Sequence, residues 1–220
     1  SALRFAEYFQ AYCLSVSSNS KVETRLKTTA NGIFQVLPGR GNSVGEQLVT
    51  SPKVDKISFT GSTQTGIKIL EKSSIFLSTT KFKRVSLELG GKSPLVVEKD
   101  GDIDLAVDAV IANIFGNAGQ ICTASSRVFC HEEIQEQFIS KLVHETEKRL
   151  SLGDCSGDGS LTLGPVISKE QKAKVEEYIR IGKEEDKAKS VDELFSTKFQ
   201  EQMKRPENKD GYFIAPTIFR

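Results

Sequence analysis

The sequence predicts an α/β fold built on a parallel sheet with helices on both faces. Two observations lead to this prediction. Short β-prone apolar runs alternate with amphipathic helical runs along most of the chain, and clusters of Gly, Pro, Ser and Thr separate those runs. Strands that alternate with helices form parallel sheets because each helix carries the chain back across the sheet. The sequence shows no internal repeat that would favour a solenoid.

The composition is that of an ordinary globular protein. Of 220 residues, 38% are hydrophobic and 27% are charged, and the formal net charge is +1. A chain with this content can bury a core, and its balanced charge offers no field that would attract nucleic acid or an anionic membrane. No apolar run approaches the roughly 18 residues that a membrane span needs. We therefore expect neither nucleic acid nor a membrane as a partner.

The four cysteines, Cys13, Cys122, Cys130 and Cys155, form no CxxC pair. Their spacing predicts neither a zinc site nor a disulfide framework, and we expect no bound metal. Reduced thiols are typical of the cytoplasm, which is the predicted location. The chain begins with Ser1 rather than Met, so a location in a plastid or another organelle stays open.

The N-terminal residues predict a helix, a loop and a first strand and helix. Residues 2–14 carry apolar side chains at helical spacing, so we expect a helix with one buried face. The residues of that face are Leu3, Phe5, Ala6, Phe9 and Cys13. Residues 15–29 are polar and predict an exposed loop, whereas residues 32–39 and 44–49 predict a strand and a short helix.

Further strands and helices follow in alternation. Residues 54–60 predict a strand and residues 66–72 a helix, and residues 85–89 and 95–97 predict two more strands. Asp102 is a suitable N-cap for the long amphipathic helix that comes next. The predicted core face of that helix consists of Leu105, Val107, Val110, Ile111, Ile114 and Phe115, and Gly116 ends its periodic run.

The second half of the chain predicts a strand at residues 128–131 and helices at residues 134–150 and 169–183. The side chains expected to point inward from the first of these helices are Phe138, Ile139, Leu142 and Val143. Residues 183–210 are highly charged and predict a surface excursion. Its few apolar anchors are Val191, Leu194, Phe195, Phe199 and Met203. Residues 211–219 predict a strand-like segment.

Cys122 is the first candidate catalytic residue. It stands in residues 119–127 (GQICTASSR), among small and polar residues directly after the long helical run. A thiolate is a good nucleophile toward a carbonyl carbon, and a helix or turn that exposes backbone N–H groups would stabilise both the thiolate and an oxyanion. The alternative is a buried cysteine that acts as a small hydrophobic residue, which is the commoner fate of a free cysteine and the one we expect for the other three.

Glu88 is the second candidate. It lies in an apolar strand and is followed by Leu89, Gly90 and Gly91. Burial in such a strand would raise the pKa of a carboxyl group toward the range that suits a general base. The two glycines would let a substrate or a flat ring approach the backbone. The alternative is an edge-strand acid that pairs with a neighbouring lysine or arginine.

The turn at residues 61–66 closes a predicted strand and opens a predicted helix, which is the setting of a phosphate-binding turn. It lacks the G-x-G-x-x-G spacing. Gly61 would allow a ligand to approach closely, Ser62 could donate to a phosphate oxygen, and Gly66 would let the helix and strand pack tightly. An ordinary strand-to-helix turn is the alternative.

Taken together, these motifs resemble those of the aldehyde dehydrogenase superfamily in order and in the spacing between the acid and the cysteine. The likeness extends over nearly the whole chain and includes residues 163–168 (LGPVIS) and 211–218 (GYFIAPTI). The segments most similar to betaine or amino-aldehyde dehydrogenases are residues 92–95, 120–127 and 205–207.

The resemblance implies a mechanism and a cofactor. Cys122 would attack the aldehyde, a hydride would pass to NAD (or NADP), and Glu88 would activate the water that hydrolyses the thioester. The cofactor-binding residues implied by the family motifs are Gly61, Ser62, Thr63, Gly66, Leu89 and Gly90. The implied fold is an incomplete Rossmann-like cofactor domain (residues 1–120), joined near Cys122 to part of an α/β catalytic domain (residues 121–220).

Family members are considerably longer, and their segments that supply an oxyanion Asn, a ribose-binding Lys and a Glu-x-Phe-Gly-Pro motif do not occur in this sequence. We therefore expect a fragment of such an enzyme, which acts on a small-molecule aldehyde and forms a homo-oligomer at full length. Two alternatives remain open. One is a truncated, catalytically inactive binding subunit, and the other is a thiol-dependent acyl-transfer enzyme.

Overall fold

The computed structural model describes residues 2–15, 33–74, 82–155 and 162–220, which fall into two compact units, Ser1–Glu88 and Leu89–Arg220. The helices are α1 (Ala2–Ser15), α2 (Glu46–Thr50), α3 (Thr63–Ser74), α4 (Ile103–Val110), α5 (Gln135–Arg149), α6 (Lys169–Arg180), α7 (Lys198–Met203) and α8 (Pro206–Lys209). The strands are β1 (Lys56–Gly61), β2 (Arg84–Leu89), β3 (Pro94–Val97), β4 (Arg127–Cys130), β5 (Ser151–Leu152) and β6 (Thr162–Leu163). Within the described ranges β1 pairs with β2, β3 with β4 and β5 with β6, and the last two pairs are parallel. The predicted α/β alternation is confirmed.

In the first unit, α3 connects β1 to the segment before β2. β1 alternates as a half-buried strand does, with Ile57 and Phe59 partly buried between exposed neighbours. The N–H of Arg84 donates to the carbonyl of Asp55 (3.1 Å), which fixes the starts of the two strands beside each other. The strand predicted at residues 54–60 is thus confirmed with slightly later bounds.

The short helix α2 ends against a lysine. Nζ of Lys83 donates to the carbonyl oxygens of Val49 (2.5 Å) and Ser51 (2.8 Å). Carbonyl groups at a helix C-terminus lack intrahelical partners and carry the negative end of the helix dipole. The ammonium group therefore satisfies them and links α2 to the chain just before β2.

Part of the prediction for α1 is wrong. The helix itself is confirmed and Ala6 is buried, but Leu3 and Phe5 of the expected buried face are exposed. The ring of Phe5 packs edge-on against Phe34, with 5.5 Å between the ring centroids. The side chain of Cys13 lies outside the described part of the structure, as do residues 16–32, where most of the predicted polar loop falls.

The strand predicted at residues 32–39 is also wrong over its described part. Residues 35–40 have no regular secondary structure, and Leu37 is exposed. Apolar residues favour a strand mainly through packing against cross-strand neighbours. The sequence pattern indicates that preference but not whether a partner strand is present.

The second unit is built around the parallel pair β3 and β4. In their register Leu95 lies opposite Val128, and Val97 lies opposite Cys130. These strands contribute to one hydrophobic core with α4 and α5. The buried members of that core from these elements and the turn after α4 are Val97, Val107, Val110, Ile111, Phe138, Ile139, Leu142 and Val143. The four inward side chains predicted for α5 are all among them.

α4 begins and continues largely as predicted. Oδ1 of Asp102 accepts the N–H of Leu105 (3.0 Å), so the predicted N-cap is confirmed. After Val110 the chain forms one wider turn, Ile111–Phe115. The core position predicted for Leu105 is wrong: Leu105 is 68% exposed whereas Val107 is 1% exposed, because position 105 lies off the apolar stripe that the helical period defines.

The charged segment before the C-terminus is mostly exposed, as predicted, and two of its predicted apolar anchors pack into the core. Val191 and Phe199 are each 3% exposed, although Leu194 is exposed. Oε1 of Gln202, a buried side chain in α7, accepts the N–H of Leu152 (3.0 Å) and ties α7 to β5. The charged composition indicated the exposed residues of this segment, but it could not reveal a buried hydrogen bond such as the one between Gln202 and Leu152.

The strand-like segment predicted at residues 211–219 is only partly present. Residues 212–218 have no regular structure, and a single antiparallel bridge joins Ser190 to Phe219. The N–H of Val191 donates to the carbonyl of Ile218 (2.9 Å), so the segment still runs beside the chain before α7.

Packing divides the chain at Glu88 and Leu89, whereas the predicted domain boundary lies near Cys122. β3 and β4 pair across that predicted boundary. Packing and ligand binding can divide a chain at different places, so the assignment of a cofactor part and a catalytic part stays a prediction. In the described ranges, no helix is both long enough and apolar enough to cross a membrane.

Candidate active site

Cys122 lies at an exposed turn that follows the α4 segment. The chain leaves that segment through Asn117, Ala118 and Gly119, whose φ angles are 50°, 54° and 72°. Three left-handed residues in a row redirect the chain sharply. The N–H of Ala124 then donates to the carbonyl of Ile121 (3.1 Å), which closes a turn with Cys122 near its tip.

The arrangement of this turn suits a nucleophile. Cys122 is exposed, whereas Ala124 is 6% exposed and anchors the turn. Within the described residues, the N–H groups of Cys122 and Thr123 have no hydrogen-bond partner. Unpaired backbone N–H groups beside a thiol are the kind of donor that stabilises a developing oxyanion. The exposure of Cys122 argues against the buried alternative, while its catalytic role stays a prediction.

Gly91 makes the close approach in the two-glycine segment. A side-chain carbon at Gly91 would lie 3.3 Å from the carbonyl oxygen of Cys122, whereas one at Gly90 would meet no atom within 4 Å. The backbone at Gly91 thus runs directly beside the Cys122 turn. Nε of Arg127, just after the turn, donates to the carbonyl of Lys92 (3.0 Å) and fixes the same two segments together.

Glu88 is exposed, so the expected burial of its carboxyl group is wrong. β2 alternates, with Val85, Leu87 and Leu89 partly buried and Ser86 and Glu88 on the other face. A strand of a two-stranded sheet has one face toward water, so an apolar context in sequence does not bury every residue. Glu88 belongs to the first unit and Cys122 to the second.

The predicted phosphate turn begins α3. Ser62 Oγ accepts the N–H of Thr65 (3.2 Å) and lies 2.9 Å from Thr65 Oγ1, so Ser62 caps a 12-residue helix. Ser62 and Thr63 are exposed, and Gly66 is buried within α3. An exposed helix N-terminus of this length is chemically suited to a phosphate group.

Gly61 has a neighbour that the sequence did not indicate. A side-chain carbon there would lie 2.5 Å from Cζ of Phe59, two residues earlier on β1. The space over Gly61 is therefore filled by the aromatic ring in this structure. The expectation that Gly61 leaves room for a ligand is not supported by this geometry.

The other thiols and the histidines have ordinary environments. Cys130 is partly buried, and burial raises the pKa of its thiol, which keeps it protonated. The burial expected for Cys155 is wrong, because Cys155 is exposed and its sulfur lies beside Gly164 on the protein surface. Nδ1 of His131 accepts the N–H of Glu133 (3.3 Å) at the start of a helical turn.

A cleft of about 450 Å³ lies in the second unit. Gly119 and Ser126, which stand on either side of the Cys122 turn, contribute to its wall, together with apolar residues such as Phe115, Val166 and Tyr178. The cleft therefore lies beside the turn rather than at the thiol. The described residues hold no cluster of three metal-binding side chains.

The family is decided by comparison with known proteins. The sequence profile of the aldehyde dehydrogenase family matches residues 26–220. The chain belongs to the aldehyde dehydrogenase family. Its candidate residues Cys122 and Glu88 lie within the matched range, as does the turn at residues 61–66.

The curated relatives share this family but carry several activities. The chain is 39% identical over 191 residues to betaine aldehyde dehydrogenase of Bacillus subtilis, covering 86% of the chain and 36% of the relative. It is 40% identical to aldehyde dehydrogenase [NAD(P)+] 2 of Saccharomyces cerevisiae over 193 residues, covering 86% and 35%. It is 37% identical to a 1-pyrroline-5-carboxylate dehydrogenase of Geobacillus over 189 residues, covering 86% and 34%. The chain thus spans about a third of these relatives, and the similar identities do not single out one substrate.

Solved structures agree with this family. Betaine aldehyde dehydrogenase of Staphylococcus aureus in complex with NAD+ superposes with a TM-score of 0.72 at 28% identity, covering 93% of this chain and 39% of that one. The structure of PnpE in complex with nicotinamide adenine dinucleotide gives 0.73 at 33% identity, covering 91% and 39%. The aldehyde dehydrogenase fold expected from the sequence is confirmed.

Proposed function

We propose that this chain carries the nucleophile and part of the cofactor site of an enzyme that oxidises an aldehyde to a carboxylic acid with NAD (or NADP). The observation that carries the proposal is the exposed Cys122 turn, whose two N–H groups have no partner among the described residues, in a chain of the aldehyde dehydrogenase family. Relatives named for NAD(P)+ and neighbours in complex with NAD+ support the choice of cofactor.

The first half of the proposed reaction takes place at Cys122. Its thiolate attacks the aldehyde carbon, a C–S bond forms, and the carbonyl oxygen becomes an oxyanion. We propose as donors to that oxyanion the N–H groups of Cys122 and Thr123, which have no partner among the described residues. A bound NAD (or NADP), held by the residues proposed below, would supply the acceptor for the hydride of the same carbon, which would leave a thioester on Cys122.

The second half returns the enzyme to its starting state. Glu88 takes a proton from a water molecule, whose oxygen attacks the thioester carbon. The C–S bond then breaks, the carboxylic acid leaves, and the Cys122 thiol is restored. Glu88 is exposed, so it can reach water without rearrangement of β2.

Some of the residues proposed for cofactor binding suit a dinucleotide better than others. Ser62 and Thr63 at the exposed start of α3 suit a phosphate, and Gly66 lets that helix pack closely. Leu89 and Gly90 would present backbone near the nicotinamide. Gly61 would contribute backbone only, because Phe59 occupies the adjacent space.

The test is a panel of aldehydes, with betaine aldehyde included, mixed with the chain and NAD+ or NADP+. We expect reduced cofactor to form and an acyl group to appear on Cys122 in a peptide mass spectrum. Cys122→Ala should abolish both signals, and Cys155→Ala, which removes another exposed thiol, should preserve them. Retained turnover in Cys122→Ala would rule out this nucleophile.

Glu88→Gln provides a second test, because it should slow release of the acyl group more than its formation. Acyl-Cys122 without reduced cofactor would favour the acyl-transfer alternative. Absence of both thiol reactivity and cofactor binding would favour an inactive binding subunit. Formation of a homo-oligomer, tested by sedimentation, stays a prediction of the same proposal.

A further inference from the structure

Gln120 connects the Cys122 turn to a distant segment of the second unit. Its side-chain Oε1 accepts the N–H of Ile167 (2.9 Å), and its Nε2 donates to the carbonyl of Asn117 (3.0 Å). Its backbone N–H donates to the same Asn117 carbonyl (3.1 Å). Both ends of the amide are used, so only one orientation of the side chain satisfies both bonds.

One end of this connection lies at a left-handed stretch. Asn117 and Ala118 have positive φ, a conformation that residues other than glycine keep only where surrounding contacts hold them. The carbonyl that receives two hydrogen bonds from Gln120 belongs to the first of these residues. Ala118 packs against the hydrophobic core. Gln120 therefore holds, through two hydrogen bonds to Asn117, the left-handed segment that directly precedes the Cys122 turn.

The other end of the connection is firmly held. Val166 is buried, and its N–H donates to the carbonyl of Tyr212 (2.9 Å). Ser168 Oγ accepts the N–H of Gln171 (3.2 Å) and caps α6. Ile167 lies between these two fixed residues, so its N–H is a rigid anchor for the Gln120 side chain.

We propose that Gln120 is a positioning residue that holds the turn at residues 121–124. By fixing the backbone two residues before Cys122, it keeps the thiol and the N–H groups of Cys122 and Thr123 in one arrangement. Gln120 acts through the backbone and does not touch substrate. The inference deepens the proposed function and rests on Cys122 being the nucleophile.

Three variants of the 220-residue chain test this proposal. Gln120→Ala removes the donor and the acceptor. Gln120→Glu keeps an acceptor for Ile167 but, while ionised, has no donor for Asn117. Gln202→Ala is the matched control, because that glutamine also accepts a backbone N–H, from Leu152 at 3.0 Å, but lies in α7.

The main measurement is site-resolved hydrogen exchange. In Gln120→Ala we expect the amides of Ile167 and Ala124 to exchange about tenfold faster, since each hydrogen bond contributes modestly and two are lost. The amide of Leu152 should be unchanged. In Gln202→Ala the pattern should be reversed.

Gln120→Glu adds a pH signature that a purely structural residue would not give. At about pH 7 its carboxylate should protect Ile167 and leave Ala124 unprotected. Below about pH 4 the neutral carboxyl group regains a donor, and protection of Ala124 should return relative to the unmodified chain at the same pH. If Gln120→Ala does not fold, this variant alone decides the question, because protection of Ala124 that does not change with pH would overturn the proposal.

Two further outcomes would also overturn it. One is faster exchange at Ile167 with unchanged Ala124, and the other is no change at either amide. Alkylation of Cys122 by iodoacetamide, with Cys155 as the internal reference, is measured separately. A Cys122 thiol that is inert in the unmodified chain counts against the proposed function, while the exchange pattern still reports whether Gln120 holds the turn.

Discussion

The contact between Gly61 and Phe59 gives a prediction with a magnitude. A methyl group at position 61 would lie 2.5 Å from Cζ and 3.0 Å from Cε1 of the ring, whereas carbon atoms in contact lie about 3.5–4.0 Å apart. The ring must move by about 1 Å, and overpacking of this kind costs about 1–3 kcal/mol. Phe59 is only partly buried and can shift, so we expect about 1–2 kcal/mol for Gly61→Ala.

The assay is urea unfolding of four proteins: the unmodified chain, Gly61→Ala, Phe59→Leu and the double variant. In the Phe59→Leu background, Gly61→Ala should cost less than about 0.5 kcal/mol, because the clashing ring is gone. Gly45→Ala is the control, since a side chain there meets no atom within 4 Å and its φ is −59°. The Gly45→Ala control should leave the free energy of unfolding unchanged or raise it by roughly a few tenths of a kcal/mol. An equal loss from Gly61→Ala in both backgrounds would refute the packing explanation.

The same four proteins separate packing from cofactor binding. We expect the double variant to recover NAD binding together with stability, because the ring already occupies the space at Gly61. Recovered stability without recovered NAD binding, measured by calorimetric titration, would show that the cofactor itself needs the glycine.

Three more predictions concern stability. Lys83→Met keeps the aliphatic stem but leaves three carbonyl groups at the end of α2, those of Leu48, Val49 and Ser51, without this donor. Unfolding should therefore require about 1–2 kcal/mol less. Lys68→Met on the exposed side of α3 should have little effect in the same urea assay. Asp102→Ala should cost about 1 kcal/mol through loss of the N-cap, and Asp102→Asn should retain most of it in thermal melts. The hydrogen bond from Arg149 lowers the pKa of Glu145 below its ordinary value of 4.5, so the stability it contributes is present above that pH and is lost as pH falls through the lowered pKa. As the pH falls through this range, the melting temperature should therefore decrease less for Glu145→Gln than for the unmodified chain. The same pH profile in both proteins would contradict this reasoning.

Local patterns predicted the fold where the signal was long and repeated. The period of α5 placed four side chains, Phe138, Ile139, Leu142 and Val143, in the core because fifteen helical residues repeat one spacing. The cap at Asp102 was equally local, since its partner is only three residues away. Both features depend on neighbours in sequence and need no knowledge of the rest of the chain.

Features that depend on distant contacts were not predicted. The burial expected for Glu88 failed because the sequence does not show which face of β2 meets water. The residues around Leu37 have the apolar composition of a strand, but their described part pairs with no strand and Leu37 is exposed. The hydrogen bond between Gln120 and Ile167 joins residues 47 positions apart in sequence. The sequence hint of this bond was a single amide side chain among small residues, which does not identify its partner. The sequence left open whether Cys122 is buried or exposed, because that also depends on which segments pack against its turn.

The pairing of β3 with β4 has a consequence for how the protein is made. Cys122 lies in the connection between these two parallel strands, and that connection also contains α4. Parallel pairing requires closure of a long loop, and contacts of that range form slowly. In a newly synthesised chain, the turn that carries Cys122 therefore has no fixed ends until β4 has emerged and docked. Because Cys122 is exposed in the folded chain as well, docking of β4 fixes the backbone of the turn rather than shielding the thiol.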